Sequence, residues 1–238
     1  MTAAHRHPFD LLVSRATDDW RLAEAALLFA MDHCPELRIA RYLGRLDAMA
    51  QRVDRLNARN AADRIAALRA VLVDEEKLEG DREQYFDPRN SLLNEVLDRR
   101  RGLPIALSVI WIDVAQQLKW KLSGVGLPGH FIVAMRSSRK ELLADPFHGG
   151  RTLSRPDCES LLAAMHQQPI ELGDEHFEDW PPRSILARML HNLHHVLSDQ
   201  EDWMRDSRVL DRLLAISPRD ASLKAARSDV RRRLTECN

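Results

Sequence analysis

The sequence predicts a helix-rich α+β protein, and three observations carry that expectation. Apolar residues recur at helical spacing over most of the chain, whereas a segment after Trp120 switches to the alternation of a strand. Aromatic residues make up only 5%, and nine glycines and eleven prolines are too few for an all-β chain with many tight turns. The 238 residues allow one large domain or two small ones, and a 45% hydrophobic share with 30% charged residues fits a folded globular chain. Thirty-five basic against thirty-six acidic residues leave a net charge of −1, which gives no global attraction to nucleic acid or to an anionic membrane.

Helices are expected throughout the first part of the chain. Asp18 or Asp19 should cap a helix through Trp20, Ala23, Leu27 and Ala30 that Pro35 stops. A second carries Leu43, Leu46, Met49, Ala50 and Val53 on one stripe, and a third carries Ile65, Leu68 and Leu72. Turn chemistry follows at Glu79-Gly80-Asp81 and Asp87-Pro88-Arg89-Asn90. Asn90 or Ser91 should then cap a short helix, Leu92 to Arg100, ending at Gly102. Pro104 suits the first position of the next helix, where a missing N–H costs nothing. That helix, with Ile105, Leu107, Val109, Ile110, Trp111, Val114 and Leu118, is apolar around most of its circumference and belongs in the middle of a domain.

Strands are expected at Leu122 to Val125 and at His130 to Met135, with a turn at Gly126 to Gly129 between them. Ser137 to Lys140 should turn the chain into a partner strand, Glu141 to Asp145. Pairing about that turn sets Asp145 opposite Ile132, so His130 and Asp145 become diagonal neighbours on one face. The acidic, proline-terminated link Asp174 to Pro182 marks a boundary. Three amphipathic helices then run from Ile185 to Leu197, Trp203 to Ile216 and Ala221 to Leu234, like one tetratricopeptide-type repeat with a cap helix. The expected organisation is residues 1–176 as one domain, its core at about 80–172, and 181–238 as a helical tail. A lone repeat cannot bury its own apolar face, so the tail should dock on the rest.

Cys34, Cys158 and Cys237 are scattered and odd in number, so no disulfide framework or metal knuckle is readable and a cytoplasmic location is expected. The start of the chain, with His5, Arg6, His7, Pro8 and Asp10, lacks a signal-peptide pattern. The longest apolar run, Gly102 to Ala115, is too short to span a bilayer, so no membrane role is expected.

Several motifs stand in a fixed order: Asn90-Ser91-Leu92-Leu93-Asn94-Glu95-Val96-Leu97, Arg99-Arg100, Gly102-Leu103-Pro104-Ile105, Pro128-Gly129-His130-Phe131, Asp145-Pro146-Phe147 and Gly149-Gly150. Together they resemble the SirB family of bacterial transglutaminase-like proteins, over most of the chain. The resemblance implies a papain-like transglutaminase core. In such a core a Cys at the start of a central helix is activated by a His and an Asp on neighbouring strands: the helix terminus lowers the thiol pKa, the His accepts the proton and the carboxylate orients the ring.

The chain departs from that pattern where the nucleophile should stand. Gly102-Leu103-Pro104 replaces Gly-x-Cys, and proline has no nucleophilic group. Ser108, one turn on, is the nearby substitute, although a mid-helix Ser commonly bonds back to a carbonyl instead. His130 and Asp145 then either hold a hairpin together or survive as ligand-binding members of a relic triad. His148 could complete a metal site with them, and His191, His194 and His195 share helical spacing, but no ligand motif supports either set and no metal is assigned. Arg99-Arg100-Arg101 and Arg231-Arg232-Arg233 close helices, where cations favour the dipole. Arg99 or Arg100 is expected to pair with Glu95 or Asp98.

The function expected from these readings is that of a non-catalytic protein of interaction or regulation, holding an unidentified protein or peptide through its degenerate cleft and tail, without a cofactor and without nucleic acid. The alternative is a cysteine-independent hydrolase or acyltransferase using Ser108, His130 and Asp145. The sequence leaves the oligomeric state open.

Overall fold

The computed structural model, which describes residues 7–136 and 141–236, is organised around one helix that is buried on every side over most of its length. Ahead of it come α1 (Pro8–Val13), α2 (Leu22–Ala30), α3 (Ile39–Asp54) and α4 (Ala61–Arg69), the last continuing as a π-helical turn over Ala70–Glu75. A two-residue strand β1 (Glu79–Gly80), a 3-10 turn at Pro88–Ser91 and α5 (Leu93–Arg99) lead to β2 (Arg101–Gly102), which pairs parallel to β1. The central helix α6 (Pro104–Gln117) follows, buried at every position from Pro104 to Ala115. Its one buried charge, Asp113, is met by Arg21 in a two-pronged ion pair at 2.6 and 2.7 Å, which ties α6 to the start of α2.

Arg21 also accounts for a correction. The first long helix begins at Leu22 behind Arg21, with no side-chain cap, and Asp18 instead pairs with Arg183. Neither Asp18 nor Asp19 caps it. Similarly, Asn90 and Ser91 lie in the 3-10 turn, and α5 ends on Arg100 in the left-handed conformation, not at Gly102.

Four strands form an antiparallel meander: β3 (Leu122–Leu127), β4 (His130–Arg136), β5 (Glu141–Asp145) and β6 (Arg151–Leu153). β3 runs two residues beyond the expected Val125, because Leu127 pairs with His130 and only Pro128 and Gly129 turn the chain. Gly129 takes φ +72°, as a tight turn of this kind needs. Gly126 stays in the strand for a packing reason: a Cβ there would collide with the Trp180 ring. β4 and β5 pair with Val133 opposite Ala144, the register expected for Asp145 and Ile132. The expected turn at 137–140 lies outside the described residues.

One face of the sheet, with Phe131, Val133, Met135 and Ala144, joins the main core around α6. Val125, Leu127, Ile132, Ala134 and Leu143 line the other, under Cys158 and Leu162 of α7 (Arg155–His166) and under Phe177. The sequence reading had not placed α7 or β6. Beyond a 3-10 turn at Asp174–Phe177 stand α8 (Pro182–Asp199), α9 (Trp203–Ile216) and α10 (Ala221–Glu236). Ile185, Leu186, Met189, Leu190, Leu193 and Leu197 of α8 belong to the same apolar cluster as α6, so this helix is docked on the core. Among the described residues no helix is long and apolar enough to cross a membrane.

Candidate functional site

A cavity of about 170 Å³ opens where four segments converge. The N-terminus of α6 contributes Leu103, Pro104 and Ile105, and the β3–β4 turn contributes Gly129, His130 and Phe131. The loop before α5 supplies Tyr85 and Phe86, and α8 supplies Arg188, Asn192, His195 and Val196. Pro104 and His130 therefore line one space, although 25 residues separate them in sequence.

His130 is bound from behind. Its Nε2 lies 3.0 Å from Asp145 Oδ2, and both side chains are buried. The same oxygen takes His148 Nδ1 at 2.6 Å, while Oδ1 accepts the backbone N–H groups of Phe147 and His148 at 3.0 and 3.3 Å. Burial opposes the charge on Asp145, but the hydrogen bonds from His130 and His148 outweigh it and hold the carboxyl well below the usual carboxylate range. Because Nε2 is taken, Nδ1 is the His130 nitrogen left without a partner among the described residues. The His130, Asp145 and His148 ligand atoms all lie within 4.8 Å of one another, so the trio has the composition of a metal site. The direct 2.6 and 3.0 Å contacts are those of hydrogen bonds between the ligands themselves.

Ser108 is fully buried in α6 and donates its hydroxyl proton to the Pro104 carbonyl at 2.8 Å. Cys34 is not in the cavity wall; its thiol contacts Asn94 and Glu95. Cys158 lies in the second core beneath the sheet, where burial and then the charge of Asp145 push its thiol up to about 12. A thiol held so firmly protonated is a poor nucleophile. Cys237 lies outside the described residues.

The motif around Asn90 and Arg99 shapes the loop that walls the cavity. Arg99 bonds to Asn90 Oδ1 at 3.0 Å and to Asp81 at 3.2 Å, and Asn90 in turn donates to the Gln84 carbonyl at 2.7 Å. Asp81 accepts from the Gln84 amide, which closes the ring of contacts. The pairing expected of Arg99 or Arg100 with Glu95 or Asp98 is not the one found: Arg99 pairs with Asp81, with Asp87 3.7 Å away, and Asp98 goes to Arg45 and Tyr42. The network holds the turn that presents Tyr85 and Phe86. Tyr85 meets Phe147 edge to face at 6.0 Å between centroids, and Phe147 meets His130 in the same manner at 6.0 Å. Pro128 and Gly129 turn the chain beside the cavity, Gly102 pairs with Gly80 in the β1–β2 ladder, and Pro146 starts the 3-10 turn whose amides bond to Asp145.

The three histidines of α8 do not act together. His194 pairs with the buried Asp206 of α9 at 2.6 Å, which the sequence reading had not supplied, while His195 lines the cavity. The sequence reading also missed Arg188. Its Nη2 donates to the Leu127 and His130 carbonyls, both at 3.0 Å, and its guanidinium lies 5.4 Å from the Trp180 ring centre. Burial lowers its pKa from the ordinary arginine value. The signal in the sequence was a cation inside the apolar stripe Ile185, Leu186, Met189 and Leu190.

Comparison with known proteins agrees with this architecture. A family model described as the transglutaminase-like superfamily matches residues 40–191. A UPF0162 protein of Xylella fastidiosa (strain Temecula1) is 36% identical over 210 residues, covering 83% of this chain and 72% of the relative. One from Pseudomonas aeruginosa is 30% identical over 214 residues, covering 90% and 78%. Human F-box only protein 21 is 28% identical over 170 residues, 66% of this chain and only 26% of that protein. No solved structure matches significantly. The family match spans the central helix, the His130 and Asp145 strands and the start of α8, and the chain belongs to the transglutaminase-like superfamily.

Proposed function

We propose that this protein is a non-catalytic transglutaminase-like protein of the SirB type, which acts in interaction or regulation in the cytoplasm by holding a protein or peptide in its cleft. The observation that carries the reading is Pro104 at the first position of α6, in the wall of the same cavity as His130. In the chemistry of the fold a thiol is needed at that helix terminus, and proline supplies neither a nucleophile nor an amide proton. Ser108 supports the same reading, since its hydroxyl is buried and engaged with the Pro104 carbonyl. His130 then serves as a rigid wall of the cleft, its ring held from behind by Asp145. The division into a core at residues 1–176 and a tetratricopeptide-like tail at 181–238 belongs to this proposal; α8 packs on α9 and α9 on α10, as a helical repeat would.

The test is an activity assay with a fluorescent primary amine, a glutamine-bearing acceptor protein and an activated ester. No amine incorporation and no ester turnover above buffer are expected. Turnover abolished by Ser108→Ala would overturn the reading in favour of a serine hydrolase or acyltransferase.

A further inference from the structure

Arg188 is the cavity residue that the relic triad does not explain. It is a half-buried cation with no carboxylate within 4 Å among the described residues, and its only hydrogen bonds there run from Nη2 to two backbone carbonyls. Nε and Nη1 have no hydrogen-bond partner among the described residues, and the guanidinium lies beside the Phe131 and Trp180 rings. A desolvated guanidinium normally lies beside an acid, because removing it from water uncompensated is costly. The cavity wall contains no Asp or Glu. Asp145 cannot serve, since His130, His148 and two backbone amides occupy both of its oxygens.

We propose that the cavity binds a carboxylate-bearing side chain of a peptide, with Arg188 as its counter-ion. This deepens the reading of the cleft as a binding site and rests on it. Nε–H and Nη1 point to opposite sides of the guanidinium and Nη2 is already engaged, so the carboxylate takes one charge-assisted hydrogen bond, from Nε–H. The uncapped start of α6, at Pro104 and Ile105, adds a favourable field for the same charge. The cavity is small: about 170 Å³ lies below the roughly 300 Å³ at which pockets for drug-sized molecules begin, and it suits a single side chain. Tyr85, Phe86, Leu103 and Val196 give an apolar sleeve for the methylenes of a glutamate. Phe86 is 64% exposed at the rim, an apolar surface suited to the rest of a polypeptide and of no use to a free inorganic ion.

The experiment is a titration of the full chain followed through the Arg188 Nε–H signal in 15N NMR. The probes are N-acetyl-glutamate N-methylamide, its neutral glutamine counterpart, N-acetyl-alanine with a free terminal carboxylate, and phosphate and chloride at matched ionic strength. A saturable shift with the glutamate probe, at least about tenfold weaker with the glutamine probe, is expected from the loss of a charged hydrogen bond. Asn192→Asp should weaken glutamate binding by a similar factor with an unchanged melting temperature, because it places an acid one turn from Arg188. That variant keeps the test sound should Arg188→Gln disturb the turn it braces. Equal shifts with glutamate and glutamine, tighter binding of phosphate or of the terminal carboxylate, or unchanged binding by Asn192→Asp would each overturn the proposal. Failure here leaves the non-catalytic reading standing, whereas turnover in the amine and ester assays sinks that reading whatever the titration shows.

Discussion

Asp145 Oδ2 accepts from both His130 Nε2, at 3.0 Å, and His148 Nδ1, at 2.6 Å, so one buried carboxylate orients two imidazoles. The arrangement fixes the His130 ring from the side away from its free Nδ1. It also makes the stability of the core depend on a charge held in the interior. Because the folded-state pKa of Asp145 is depressed, its contribution is fully present above the unfolded value of about 3.9 and is lost as pH falls through the folded value.

Asp145→Asn should therefore destabilise the protein at pH 7, by about 3–5 kcal/mol if the buried pair behaves as such pairs generally do. The variant should also lose less stability than the wild type as pH falls below about 4, towards the depressed folded-state pKa. Urea unfolding at pH 7 and through the acid range measures both effects. Parallel pH profiles for the two proteins would show that Asp145 carries no such linkage.

Arg99→Ala removes the hub that joins Asp81 and Asn90. A loss of about 1.5–3 kcal/mol is expected from its charged hydrogen bonds. Release of the Tyr85–Phe86 turn should also shift the ring resonances of both residues and of Phe147. A stable variant with unmoved ring signals would mean the turn is held by packing alone.

Docking of α8 can be tested by Leu190→Ala, which opens a gap at a fully buried position facing the core. A cost of about 2–5 kcal/mol follows from comparable core truncations. Ending the chain after Asp179 should expose the apolar surface that α8 covers and lower both solubility and melting temperature. A shortened chain with unchanged melting would show that the helical tail folds apart from the rest.

Pro104→Cys places a thiol at the first position of α6 beside His130. The helix terminus and the imidazole both favour the thiolate, so alkylation by iodoacetamide should titrate well below the usual thiol pKa of about 8.5. Adding His130→Ala should move the profile back up. If the introduced thiol titrated like a free one in solution, the relic geometry would no longer be able to activate a nucleophile.

Local pattern was enough for much of the chain. The all-round apolar run after Pro104 predicts a buried central helix, the alternation around His130 and Glu141 predicts a hairpin with the observed register, and proline at position 104 excludes a thiol there. These are properties of near neighbours, set by side-chain period and backbone chemistry. Tertiary structure decided the rest. Arg188 and Tyr85 share a cavity with His130 only because α8 and the loop before α5 pack at its mouth, and Arg99 chose Asp81 over its sequence neighbours Glu95 and Asp98. Gly126 reads as a turn residue in isolation, yet the strand keeps it because Trp180 occupies the space a side chain would need. Charge partners and close approaches depend on which surfaces the folded chain brings together, and that information is not local to any segment of the sequence.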